Sequence, residues 1–187
     1  MLKLRAILRM CAVVALVSVT ACGENISQQT VIEPQMVTVT VGQQTFTRIE
    51  ELAPNTSLLS LSRIIGLLGG TLSVANHTVA VPFGAVTVPT LFTLRHANNG
   101  YVEVDATATI TDLLGKILDI GGLGFRKPVT MTLSYARATN VSDPSRLKIV
   151  RLKPDGQHEI MPSTVNPLKK TVSAPLDHFS RYALVTD

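Results

Sequence analysis

The sequence predicts an all-β domain, a β-sandwich of short antiparallel strands carried behind a removable leader and a brief tether. Three observations lead to that reading. Short runs rich in Thr, Val and aromatic residues recur along the chain, as half-buried strands require. Asn76, Asn98-Asn99-Gly100, Asp143-Pro144 and Asp155-Gly156 fall between those runs and supply turn chemistry. The chain also opens with a charged segment followed by an apolar one, the layout of a secretory signal.

In that opening, Lys3, Arg5 and Arg9 precede an apolar stretch from Met10 to Val19. The uncharged run from Met10 to Cys22 is thirteen residues, whereas a spanning helix needs about 20 apolar residues. The run is therefore predicted to be a leader, residues 1–21, rather than a permanent transmembrane helix. It ends in Val19-Thr20-Ala21-Cys22, which resembles the bacterial lipobox. The resemblance implies diacylglycerol on Cys22, cleavage before it, and a membrane as first partner. Gly23 stands where an Asp would signal inner-membrane retention, so an outer membrane is the expected address if the host has one.

Removal of the leader changes the bulk properties. Seventeen basic residues minus the three in the leader leave fourteen, against thirteen acids that all lie beyond Cys22. The mature chain is nearly neutral, which argues against a nucleic-acid partner. Cys11 leaves with the leader and Cys22 is acylated, so no disulfide is expected in the mature monomer. Residues 22–35 are mostly polar or small and read as the tether, followed by one domain over residues 36–187.

Within the domain, Met36 to Val41 alternates apolar residues with Thr until Gly42 breaks the pattern. Further strands are predicted at Thr71–Val74, Thr78–Val81, Thr90–Arg95, Tyr101–Ile110, Val129–Tyr135, Arg146–Leu152, Thr171–Ala174 and Tyr182–Val185. Two segments stay open. Leu58 to Leu68 fits a strand or a helical turn, and Asp112 to Ile120 places Leu113, Leu114, Ile117 and Leu118 at helical spacing.

Chemistry-bearing residues are sparse in pattern. His77, His96, His158 and His178 show no His or Cys partner at metal-ligand spacing, so no metal or cofactor is expected. His158-Glu159 reads as a solvated edge, and Asn55-Thr56-Ser57 as a loop. Gly121-Gly122-Leu123-Gly124 is followed by Phe125-Arg126-Lys127-Pro128 rather than by a helix that would present N–H groups to a phosphate. There is no Gly-x-Ser-x-Gly elbow, and the absence of Trp leaves little for stacking sugars or bases.

One stretch is more specific. Ile64-Ile65-Gly66, Gly69-Gly70-Thr71-Leu72 and Val79-Ala80-Val81-Pro82-Phe83-Gly84-Ala85 resemble the opening of the ZU-five domain of zonula occludens proteins, netrin receptors and ankyrins. Lys127 to Leu133, Leu147 to Leu152 with Asp155-Gly156, and His178 to Leu184 are similar to its later strands, in the family's order, over about residues 63–185. The chain departs from the family where Phe83 follows Pro82 and where Gln157-His158, not Trp, follows the Asp-Gly turn. Gly84 is expected to adopt a positive φ or to abut another strand in its turn. The resemblance implies a ZU-five-like β-sandwich and a protein-interaction role with an envelope partner.

It also implies an alternative, because some members cut their own backbone at a His-Phe-Ser motif. Here that is His178-Phe179-Ser180, with Ser180 attacking the Phe179 carbonyl and His178 as base. In a regular strand the two side chains stand roughly 7 Å apart, too far for proton transfer. Cutting would free only Ser180 to Asp187, so packing of Phe179 and Tyr182 is the expected role of this stretch. The sequence as a whole predicts a non-enzymatic, lipid-anchored binding or supporting module.

Overall fold

Alternating Val and Thr favour strands because successive side chains face opposite sides of the sheet and β-branched groups suit a pleated surface. The computed structural model, which describes residues 38–53 and 56–187, is accordingly all-β. The leader, the tether, Met36 to Val37 and Asn55 lie outside the described residues.

The strands are β1 (Thr38–Val41), β2 (Gln44–Arg48), β3 (Ser60–Ile65), β4 (Gly70–Val74), β5 (His77–Val81), β6 (Thr90–His96) and β7 (Glu103–Thr111). They continue with β8 (Ile117–Asp119), β9 (Val129–Ser134), β10 (Leu147–Leu152), β11 (Glu159–Ile160), β12 (Thr164–Asn166), β13 (Thr171–Leu176) and β14 (Arg181–Thr186). One sheet runs β1-β2-β14-β7-β6-β3, with β10 also on β14, β11 on β10 and β8 on β7. The second runs β12-β13-β9-β5-β4. All pairings are antiparallel, and the two inner faces enclose one core as in a β-sandwich.

Alternation decides which residues meet there. Leu72, Val79, Met131, Leu133, Val172 and Leu176 come from the second sheet, and Phe92, Leu94, Val104, Ile149, Tyr182 and Leu184 from the first, all buried. Burying one such side chain contributes about 1.5–3 kcal/mol. Strand β14 is apolar on both faces, Tyr182-Ala183-Leu184-Val185, because its outer side is covered too. Val185 and Val150 pack there beneath Val39 and Phe46 of the β1–β2 hairpin, whose Gly42 turns at φ 61.

The strands read from the sequence are all present, with ends shifted by a residue or two. Strands β2, β11 and β12 were not among them. Of the two open segments, 58–68 contains β3, hydrogen-bonded to β6. The segment 112–120 is no helix despite its spacing. Asp112 Oδ1 accepts the N–H groups of Leu114 and Lys116 at 2.8 Å each, Gly115 takes φ 78, and the chain folds back so that β8 pairs with β7. Local side-chain capping of a turn wins because Leu113 and Leu114 find no neighbouring surface on which a helix could bury them.

Register sets the two ends of the sandwich. Ile65 lies opposite Thr90, Gly70 opposite Val81, and Leu91 opposite Thr109. The β3–β4, β5–β6, β7–β8 and β8–β9 connections therefore share one end, called here the loop end. His77, which begins β5, and His96, which closes β6, mark the other. At the loop end Gly84 has φ 77, as its turn demands, and an added Cβ would meet only the Lys127 side chain at 3.5 Å. Gly84→Val is expected to cost at least ~1 kcal/mol through backbone strain alone. An unchanged denaturation midpoint would contradict that assignment.

Candidate functional site

Three core-facing positions at the end opposite the loops carry ionisable side chains. His77 continues the inward parity of Val79 and Val81, His96 that of Phe92 and Leu94, and Glu51 that of Ile49. All three are buried, and the histidines come from different sheets. Their rings stack in parallel with centroids 5.3 Å apart and planes 9° from parallel. Glu51 Oε2 lies 2.9 Å from His96 Nε2 and 3.8 Å from His77 Nε2, the second too long for a hydrogen bond.

The backbone fixes the tautomers. Ser134 N–H donates to His77 Nδ1 at 3.1 Å, and Asn98 N–H to His96 Nδ1 at 3.0 Å. Each neutral ring therefore carries its hydrogen on Nε2. The His96 Nε2–H donates to the carboxylate, while the buried Nε2 of His77 has no hydrogen-bond partner. Burial works against the charge on Glu51, but the contacts with His77 and His96 outweigh it and hold the carboxyl down at about 2.

This trio has the donor types of a metal site, with all three ligand atoms within 4.8 Å of one another. Its wiring does not suit one. A histidine that ligates through Nε2 ordinarily donates its Nδ1–H to an acceptor, and here each Nδ1 faces a backbone N–H. Ligation would set two hydrogens against each other at both rings. General-base chemistry meets the same obstacle, since both Nδ1 lone pairs are already occupied. The cluster instead ties the two sheets through a crossing segment, beside a small cavity of about 180 Å³ lined by Leu52, His96, Asn98 and Tyr101.

His178-Phe179-Ser180 lies in the crossing from β13 to β14. Phe179 N–H donates to Gly121 O at 2.7 Å, and its ring meets Phe92 and Phe125 edge-on with centroids 5.7 Å and 4.8 Å away. Ser180 Oγ donates to Leu152 O at 3.3 Å, and Tyr182 Oη donates to His178 O at 2.7 Å. Arg151 donates to His178 Nε2, the nitrogen that a base would need free. Burial pushes the Tyr182 phenol up, so it stays a donor. The purified chain is accordingly expected to keep its full mass after long incubation at neutral pH. A fragment running from Ser180 to Asp187, lost in Ser180→Ala, would show cutting.

Around this segment the outer face carries a paired charge network. Arg48 bonds the buried Glu103, Arg95 bonds Asp105, and Arg181 reaches Asp105 at 2.7 Å and Glu103 at 3.4 Å. These groups border two open concavities of about 400 and 670 Å³. Three guanidiniums share two carboxylates, and each of the three is already paired with at least one of them. His158 Nδ1 accepts Lys153 N–H at 3.2 Å, and Glu159 pairs with Arg151 and Lys153 at an exposed edge.

The structure thus brings together one set of residues that spacing along the chain did not reveal: Glu51, His77 and His96. Cys22 lies outside the described residues. Comparison with known protein families finds no match, and a search of curated proteins finds no relative.

Proposed function

We propose that the chain is a lipoprotein of a bacterial cell envelope, anchored through lipid on Cys22, whose ZU-five-like sandwich binds or supports an envelope protein without catalysing a reaction. The observation that carries the non-catalytic part is the wiring of the buried cluster: both imidazoles accept backbone N–H groups, and the carboxylate accepts the His96 Nε2–H. The anchored part rests on the leader and on Val19-Thr20-Ala21 before Cys22. Each acyl methylene buried in a bilayer contributes about 0.8 kcal/mol, so two or more chains hold stably. The ZU-five-like part is supported by the motif order along residues 63–185 and by the positive φ of Gly84 in Pro82-Phe83-Gly84-Ala85. Fold alone names no partner.

The anchor is tested by feeding cells a fatty-acid probe. The wild-type chain is expected to be labelled and Cys22→Ala to be unlabelled. Equal labelling of the two would refute acylation at Cys22.

A further inference from the structure

Exposed apolar side chains are distributed unevenly over the sandwich. Of the thirteen large ones exposed among the described residues, Leu52, Leu58 and Leu168 lie at the histidine end and the other ten at or beside the loop end. Leu68, Leu113, Leu114 and Leu123 there are between 83 % and 105 % exposed, with Leu67 and Phe83 beside them. Gly84 N–H donates to Leu67 O, Arg126 N–H to Ala85 O, and Lys127 Nζ to Phe83 O, so three of the four loops are tied to one another. Soluble monomers rarely leave such a patch uncovered.

The cations at this end are Lys116, Arg126 and Lys127, all exposed. Of the acids, Asp112 and Asp119 accept N–H groups of their own turns, and Asp177 stands near Gly124. Long cationic side chains beside apolar tips suit a lipid headgroup layer, where the stems lie in apolar surroundings and the charges meet phosphate.

The length of the tether permits this. Thr38 pairs with Thr47, Val41 with Gln44, and Thr47 with Thr186, so Thr38 is the end of β1 nearer the loops. From Thr38 to the loop end is roughly 35 Å at about 3.3 Å per strand residue. The sixteen residues from Cys22 to Val37 span at most roughly 55 Å when extended. The tether is therefore long enough for a lipid on Cys22 and the loop tips to meet one surface.

We propose that the loop end rests on the bilayer that holds the lipid anchor, with Leu68, Leu113, Leu114 and Leu123 entering the headgroup boundary. This orientation rests on the lipoprotein reading above. It leaves the histidine end, with Asn98 to Tyr101, facing away from the membrane and available to a partner.

The full-length chain, purified from membranes and placed in phosphatidylethanolamine–phosphatidylglycerol vesicles with brominated acyl chains, tests it. An environment-sensitive fluorophore is attached at Leu114→Cys or, at the opposite end, at Asn99→Cys; both sites are exposed, so the fold tolerates them. Quenching by the brominated lipid at 114 and none above background at 99 is the expected result. Free access of aqueous iodide to both labels, without lipid quenching, would overturn the orientation. A label at 114 that neither quencher reaches would overturn it in favour of a second copy of the chain covering the loops. Intact mass of the same preparation reports acylation of Cys22 separately. An unacylated chain refutes the anchor, and quenching at 114 in a Cys22→Ala background then decides where the loops sit.

Discussion

Glu51→Ala is expected to destabilise the sandwich by about 3 kcal/mol, because it leaves the buried His96 Nε2–H without its acceptor and removes the carboxylate that faces His77 Nε2 between the sheets. Glu51→Gln keeps an oxygen for the His96 Nε2–H and is expected to lose only about 1 kcal/mol. The penalty also depends on pH in a fixed direction. The folded carboxyl sits at about 2, below its usual 4.5, so its contribution is complete above about pH 4.5 and is lost as pH falls toward 2. Urea titrations of wild type and Glu51→Ala should therefore differ most near neutrality and converge in acid. A constant gap across that range would mean that the carboxylate contributes through packing and not through charge. Equal stability at pH 7 would show that water replaces it.

Gly69→Val is the second large effect, at least about 3 kcal/mol, and it separates two causes of glycine dependence. Gly69 and Gly84 have nearly the same φ, 75 and 77, so backbone strain from a β-branched residue is comparable at both. Their surroundings differ. A Cβ on Gly69 would sit 2.8 Å from Pro82 C and 3.0 Å from Phe83 N, backbone atoms that cannot move without displacing the β5–β6 turn. At Gly84 it meets only the flexible ammonium end of Lys127. Denaturation midpoints should rank Gly69→Val well below Gly84→Val. Equal midpoints would leave the close approach of the two loops without energetic weight.

Fold class was legible because alternation and turn residues are local. The Thr-Val runs of β1, β5 and β9 show their buried faces directly in the sequence. Segment 112–120 was not legible, since four apolar residues at helical spacing say nothing about whether a surface exists to cover them. The buried cluster was half legible. His77 and His96 each occupy the core-facing parity of an apolar strand, a signal that marks a buried histidine. Their meeting depends on β5 and β6 lying in opposite sheets, and Glu51 arrives from a crossing segment with no strand pattern of its own. Spacing rules for metal sites look for ligands on one element and so pass over three that converge from separate ones.

The self-processing alternative turned on the same distinction. His178 and Ser180 are close in sequence, but the contacts around them lead to Arg151 and Leu152 and not to each other. Phe179 meanwhile spends its ring on the core with Phe92 and Phe125.

The most direct measurement is the mass of the N-terminal peptide of the chain extracted from bacterial membranes. A peptide that begins at Cys22 and carries the added mass of diacylglycerol is the expected result. A free Cys22 thiol, or a peptide that still contains Val19-Thr20-Ala21, would contradict the lipid-anchored reading.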